Sequence, residues 1–337
     1  MGHAPENEMS PSPILFPRIL LGFIVFICAE VFSGASVHVG LWSPWTWLVT
    51  FWLYFGHFFL FASLAVRTGR TSFWSLYLWG VLFGLYESWI TKVIWHGYGG
   101  DGEFALGALG PYGYGEISMV FFFHPLISFI LPLAIGCLLC PQLRRIFPDL
   151  AWFSGRTRGA RAVQVWLVIS FSSILAMNSG GIVNLGLNWA IALSILLILY
   201  RLSNQDLAST DGLDILVFKN RGMAGLGVYL GSLYLITYFL LNPAGLPSPI
   251  IQLLTLSFYS VPILGLMHHR AREPLPPGTG HVEPREKGLM KLLFLLIIVG
   301  SLAFSNIVQI VYVPVLANMI FWTPAGFLLL TISIIRV

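Results

Sequence analysis

Glu87 lies in the run from Trp79 to His96, where nearly every neighbour is apolar. A carboxylate in such surroundings is neutral, paired or facing water, and each of those states suits acid–base work or metal ligation better than filling space. Lys92 and His96 follow on the same run. Glu30 closes an earlier apolar stretch beside Ser33 and Gly34, and His124 stands in a later one with Ser128 one helical turn on. Carboxylates and imidazoles drawn from several elements are the residue types of a general acid–base site or of a divalent-metal site. Glu87 would be the general acid or base, His124 and Glu30 relays or ligands, and Lys92 a charge-stabilising or anion-binding group. Glu30, Glu87, His96 and His124 form the candidate ligand set, so a divalent metal is the cofactor to test for.

No spacing motif ties these residues together: the chain has no H-E-x-x-H, no paired-carboxylate repeat and no nucleophile elbow. Asp101, Glu103 and Glu116 add carboxylates from a glycine-rich segment, and His38 adds an imidazole. Ser88 and Lys92, one turn apart, have the types of a serine–lysine dyad, but close helix packing accounts for Ser88 equally well. Cys137 and Cys140 form a C-x-x-C without a second pair to complete a zinc site, which reads as inert membrane thiols. His57, among Phe55, Phe58, Phe59 and Phe61, reads as a neutral imidazole bonded to a neighbouring helix. The plain alternative for the whole cluster is structural. Glu87 and Lys92 would then be a buried ion pair, and His124 would bond a backbone carbonyl freed by Pro125.

The element that positions Glu87 has a helical signature. At about 100° per residue, Glu87, Gly80, Thr91, Gly84 and Ser88 fall in that order within an arc of roughly 100°. Leu82, Trp89, Val93, Tyr86, Trp79 and Ile90 occupy the opposite arc. The pattern predicts a helix whose small, polar side faces protein and whose aromatic side faces lipid. Gly80, Gly84 and Ser88 have the small-xxx-small spacing that lets helices approach closely. The expected companions of Glu87 come from the first and fourth helices.

Ten runs are long enough, or nearly so, to cross a hydrocarbon core of about 30 Å. They are 14–34, 45–66, 73–95, 117–140, 162–178, 182–200, 222–241, 247–267, 289–312 and 316–335. Composition demands the same solvent. With 57% hydrophobic and 9% charged residues and a mean hydropathy of +0.81, the chain of 337 residues has too few charges to wet a soluble exterior. The expected fold is an all-α integral membrane protein, a polytopic bundle of about ten transmembrane helices forming one domain over 1–337.

Charge sets the orientation. With the N-terminus inside, every one of the 18 Lys and Arg residues except Lys92 falls on the inner side, which predicts N-in/C-in topology in the plasma membrane. The net charge of +4 and a pI near 9 then reflect topology, and nucleic acid is rejected as a partner. The expected partners are the lipid bilayer and a lipid or small-molecule substrate, with the oligomeric state left open. Ser33-Gly34-Ala35 resembles a signal-cleavage site, but Glu30 interrupts the apolar run, so the first helix is expected to be retained. Glu6 stands where a myristoylation motif has Ser or Thr.

The connections divide into kinds. Segment 97–116 is a glycine-rich outer loop, either a flexible loop or a lid that dips back over a polar site. Segment 268–288 is a proline-rich cytoplasmic linker, expected to be mobile and uninvolved in chemistry. Short connections after the fifth, seventh and ninth helices predict antiparallel neighbours. The two halves share no repeat, and helices five to ten read as scaffold because none carries an ionisable residue deep in its span.

The leading reading is a membrane-embedded enzyme with an outward-facing site in helices one, three and four, acting on a lipid or lipid-linked substrate. The alternatives are a proton- or ion-coupled transporter using Glu87, and a non-catalytic scaffold or assembly subunit. A transporter needs polar groups that continue toward the inner face, where helix three offers only Tyr77, Ser75 and Ser72 below Gly80.

Overall fold

The computed structural model of the protein describes residues 14–34, 41, 43–97, 104, 106–209, 212–276 and 281–336. Long apolar runs give long helices because only a helix satisfies its own backbone where water is absent. In chain order they are α1 (Leu15–Phe26, prolonged by a π-helical turn Ile27–Val31), α2 (Phe51–Arg67, preceded by a π-helical turn Thr46–Thr50) and α3 (Phe73–Thr91). There follow α4 (Tyr114–Leu139), α5 (Arg158–Asn178), α6 (Ile182–Ser209), α7 (Asn220–Leu240), α8 (Pro249–His268), α9 (Pro284–Phe304) and α10 (Val308–Ile335). Among the described residues, eight segments are long and apolar enough to cross a membrane, and they correspond to all of these helices but α1 and α3.

Several boundaries differ from the periodicity reading, each for a local reason. The third run does not continue to residue 95. Lys92 adopts φ +62°, which ends α3 at Thr91 and leaves Val93–His96 as a separate turn. The last two helices part at Ser305–Ile307 rather than near Pro314, which lies inside α10. Proline is tolerated there because neighbouring groups in a membrane bundle can take up the freed carbonyl. The last part of segment 268–288 is helical: Pro284 opens α9, and Glu283 and Glu286 form a reciprocal capping box.

The described residues of that segment before α9 are not a free linker. The Arg272 amide donates to the Gly69 carbonyl at 2.7 Å, and the Leu275 amide donates to the Arg145 carbonyl at 2.9 Å. The Arg145 guanidinium returns a bond to the Leu275 carbonyl, and Arg272 pairs with Asp149 at 2.9 Å. These contacts lie at the end of the bundle that collects the arginine-rich connections, here termed the basic end; the other is the glycine-rich end.

Helix packing also reaches beyond sequential pairs. α3 packs against both α7 and α8, which join each other through the Tyr234 and Tyr259 hydroxyls, 3.1 Å apart, and through the Tyr238 hydroxyl donating to Gln252 at 2.9 Å, while α5 packs chiefly against α9 and α10. α3 is thus buried on all sides by α2, α4, α7, α8 and α10. Its aromatic arc faces protein, not lipid: Tyr86 and Trp89 meet Tyr234 of α7, and the Tyr259 hydroxyl of α8 donates to the Leu85 carbonyl at 2.8 Å.

At the glycine-rich end, strands β1 (Ala108–Leu109) and β2 (Tyr112–Gly113) pair antiparallel, with Ala108 opposite Gly113 and a tight turn at Gly110, φ +64°. The hairpin is docked. The hydroxyl of Thr255 on α8 accepts from Trp95 Nε1 at 3.0 Å and lies 3.1 Å from the Tyr112 hydroxyl. Tyr112 also packs against Phe258, so this part of segment 97–116 is held on α8.

Candidate functional site

The site grows out of the α3–α4 contact. A Cβ on Gly80 would lie 2.5 Å from Pro125 Cα, and one on Gly84 would lie 2.9 Å from the Val120 carbonyl oxygen and 3.1 Å from His124 Cβ. Only glycine allows the two backbones this close, as the small-residue spacing predicts. α4 is wound as a π-helix over Met119–Ile130 with Pro125 inside it, which alters how its side chains are staggered. The Phe121 carbonyl in this stretch accepts from the buried Tyr77 hydroxyl of α3 at 2.6 Å, and the same hydroxyl lies 2.8 Å from the Gly326 carbonyl of α10.

With Tyr77 on that carbonyl, His124 is engaged elsewhere. Its Nε2 lies 3.3 Å from Glu87 Oε2, and its Nδ1 lies 3.1 Å from the Ser128 hydroxyl. All three residues are buried; the Glu87 side chain, 11% exposed, is the most open member and that of His124 is 4% exposed. The order carboxylate, imidazole, hydroxyl is one along which a proton can be held or passed. In a low-dielectric setting each of these polar groups is stabilised by the partner that it would otherwise lack.

The remaining candidates go to other places. Lys92 does not pair with Glu87. Its ammonium, almost wholly buried, donates to the carbonyls of Tyr238 and Asn242, each at 3.1 Å, and to that of Leu241. It therefore caps the C-terminal end of α7, where a cation is favoured by the helix dipole. Lys92 and Asn242 are the two non-glycine residues with positive φ among the described residues, and this contact joins them. His96 stands beside Gly245 in the α7–α8 connection. Glu30 ends α1 on its π-helical turn, which packs against α4, and its carbonyl accepts from Ser33 at 2.9 Å.

Glu116 is a buried carboxylate in the first turn of α4, with Oε2 lacking a hydrogen-bond partner among the described residues. His38, Asp101 and Glu103 lie outside the described residues. Among the described residues no group of three or more His, Cys, Asp or Glu side chains is placed to hold a metal ion. Glu87 and His124 supply two donors where zinc sites use three or four, so the set Glu30, Glu87, His96 and His124 does not fit a metal.

Two buried histidines complete the polar groups around α3. His57 Nδ1 bonds the Leu53 carbonyl of its own helix at 2.8 Å, not a neighbouring helix, and its ring packs edge-on against Tyr86. Phe83 stands between His57 and His124, with centroids 5.9 and 5.8 Å from them. His269, at the basic end, accepts from or donates to Ser75 at 2.7 Å through Nδ1 and meets the Ser333 carbonyl at 2.7 Å through Nε2. Since only an N–H can satisfy a carbonyl, Nε2 carries the proton and a neutral ring accepts at Nδ1 from Ser75. Sequence reasoning passed over His269 because it sits at a span boundary, where a polar residue is unremarked.

The model of a family described as "Uncharacterized membrane protein family" matches residues 19–337. A relative from Archaeoglobus fulgidus, itself described only as an uncharacterized protein, is 39% identical over 118 residues. That match covers 35% of this chain and 36% of the relative, so the chain aligns with about a third of that protein's length. No solved structure matches the chain.

Proposed function

This chain belongs to that membrane-protein family, and on this premise we propose that it is a membrane-embedded enzyme whose acid–base centre is Glu87, His124 and Ser128. The observation that carries the reading is the buried Glu87–His124 pair at 3.3 Å, extended by Ser128 at 3.1 Å. Glu87, the more open end, would meet the substrate, and His124 would hold or return the proton. A lipid or lipid-linked substrate suits a centre enclosed by apolar helices. In this reading the basic end faces the cytoplasm, both termini are cytoplasmic and the chain lies in the plasma membrane.

A second reading, a proton- or ion-coupled transporter with Glu87 as the coupling carboxylate, is favoured by one observation. Below Gly80, Ser72, Ser75 and His269 form a hydrogen-bonded series at the basic end of α3, so polar groups extend further inward than α3 alone supplies. Comparing lipid extracts by mass spectrometry from cells expressing the native chain, Glu87→Gln or His124→Gln separates the readings. The enzyme reading expects a shift in one lipid class with the native chain that both variants lose while keeping their detergent melting temperatures. An unchanged lipid profile with Glu87-dependent proton uptake in proteoliposomes would replace it with the transporter. Loss of folding in both variants would make the pair structural, as in a scaffold.

A further inference from the structure

A cavity of about 570 Å³ opens at the basic end between the starts of α5 and α9, lined by Arg144, Arg156, Arg161, Gln164, His281 and Arg285. Two carboxylates share it, and both are engaged. Glu286 pairs with Arg144 at 2.8 Å and accepts from Ser154 at 2.7 Å, while the Glu283 side chain caps α9. Arg156, Arg161 and Arg285 make no ion pair among the described residues. Three guanidinium groups around one open space repel each other unless an anion sits among them, and their planar forks match phosphate oxygens.

A second cavity, of about 560 Å³, runs along the outer surface of α5 and α10, and Arg161 lines both. This groove is walled by Ala162, Val165, Trp166, Ile169, Pro314 and Ala317. Its polar members are already satisfied by one another. Trp166 Nε1 donates to Asn318 Oδ1 at 3.0 Å, and Asn318 Nδ2 donates to Ser170 at 2.9 Å. Val165 and Ile169 remain 58% and 45% exposed, so the groove offers dispersion contacts and no hydrogen bonds. From Arg161 to Ile169 it extends about 12 Å at 1.5 Å per residue, enough to seat a good part of an acyl chain.

We propose that an anionic phospholipid occupies this joined site, its phosphate among Arg156, Arg161 and Arg285 and one acyl chain along the α5–α10 groove. The charge of the first cavity selects the headgroup, the apolar second selects a chain, and Arg161 stands where phosphate and chain must meet. The site shares no residue with the Glu87, His124 and Ser128 centre and does not depend on its role.

The test uses the full chain, delipidated in detergent and titrated with dioleoyl phosphatidylglycerol, dioleoyl phosphatidylcholine or glycerol 1-phosphate, with bound mass read by native mass spectrometry and melting temperature alongside. Phosphatidylglycerol is expected to bind at least tenfold more tightly than phosphatidylcholine and than glycerol 1-phosphate. Arg161→Gln with Arg285→Gln should weaken it at least tenfold, and Arg270→Gln, at the same end but outside the cavity, should leave it unchanged. Ala317→Phe, at an exposed position, fills the groove without touching the arginines and should weaken the lipid but not glycerol 1-phosphate, which keeps the test decisive if the arginine variant fails to fold. Equal binding of phosphatidylcholine, equal binding of glycerol 1-phosphate, or native affinity in Ala317→Phe would each overturn the proposal.

Discussion

Adding a single methyl group at Gly84 tests the packing on which the candidate site rests. The new Cβ would meet the Val120 carbonyl oxygen at 2.9 Å, and Val120 Cα and His124 Cβ at 3.1 Å. At Gly80 the obstruction is deeper, 2.5 Å from Pro125 Cα. These are mostly backbone atoms, which cannot rotate aside, so α3 and α4 must separate. Overpacking of this kind costs about 1–3 kcal/mol, against a gain of roughly 0.5–1 kcal/mol from replacing glycine inside a helix. Gly225 and Gly231 on α7 supply the control, since a Cβ on either meets nothing within 4 Å. Alanine there should stabilise by about 0.5–1 kcal/mol, giving a gap of roughly 2 kcal/mol between the two classes of variant. Unfolding in mixed micelles of dodecyl maltoside and sodium dodecyl sulfate, followed by tryptophan fluorescence, resolves a gap of that size. If Gly80→Ala and Gly84→Ala unfold with Gly225→Ala, the close backbone approach does not hold α3 to α4, and the placement of Glu87 beside His124 loses its support.

Lys92→Met should destabilise by about 2–4 kcal/mol in the same assay, because it leaves the carbonyls of Tyr238, Leu241 and Asn242 without their donor. Lys92→Arg should keep most of the stability, and a neutral result for Lys92→Met would show that water replaces the ammonium. Tyr77→Phe removes only a hydroxyl and should cost about 1–3 kcal/mol through the Phe121 and Gly326 carbonyls, with no change in helix content by circular dichroism. A Tyr77→Phe protein as stable as the native one would mean that those carbonyls find other donors.

Residue order alone determined the elements and one face of α3. The length of an apolar run and the bilayer thickness it must match are local quantities, so the helices fall near their expected places, with errors confined to ends such as Lys92 and to the junction at Ser305–Ile307. The 3.6-residue period likewise puts Gly80, Gly84 and Glu87 on one side, and that side does meet α4. The converse inference, that the aromatic side must meet lipid, failed for a physical reason. Lipid tails are as apolar as a protein interior, so hydrophobicity does not tell a side chain that faces acyl chains from one that faces Tyr234 or Tyr259. Only the tertiary structure decided the partners: His124 for Glu87, the end of α7 for Lys92, Ser75 for His269. Each such pairing depends on which helices the chain brings together across long separations, as where α3 packs against both α7 and α8 although no short connection joins it to either.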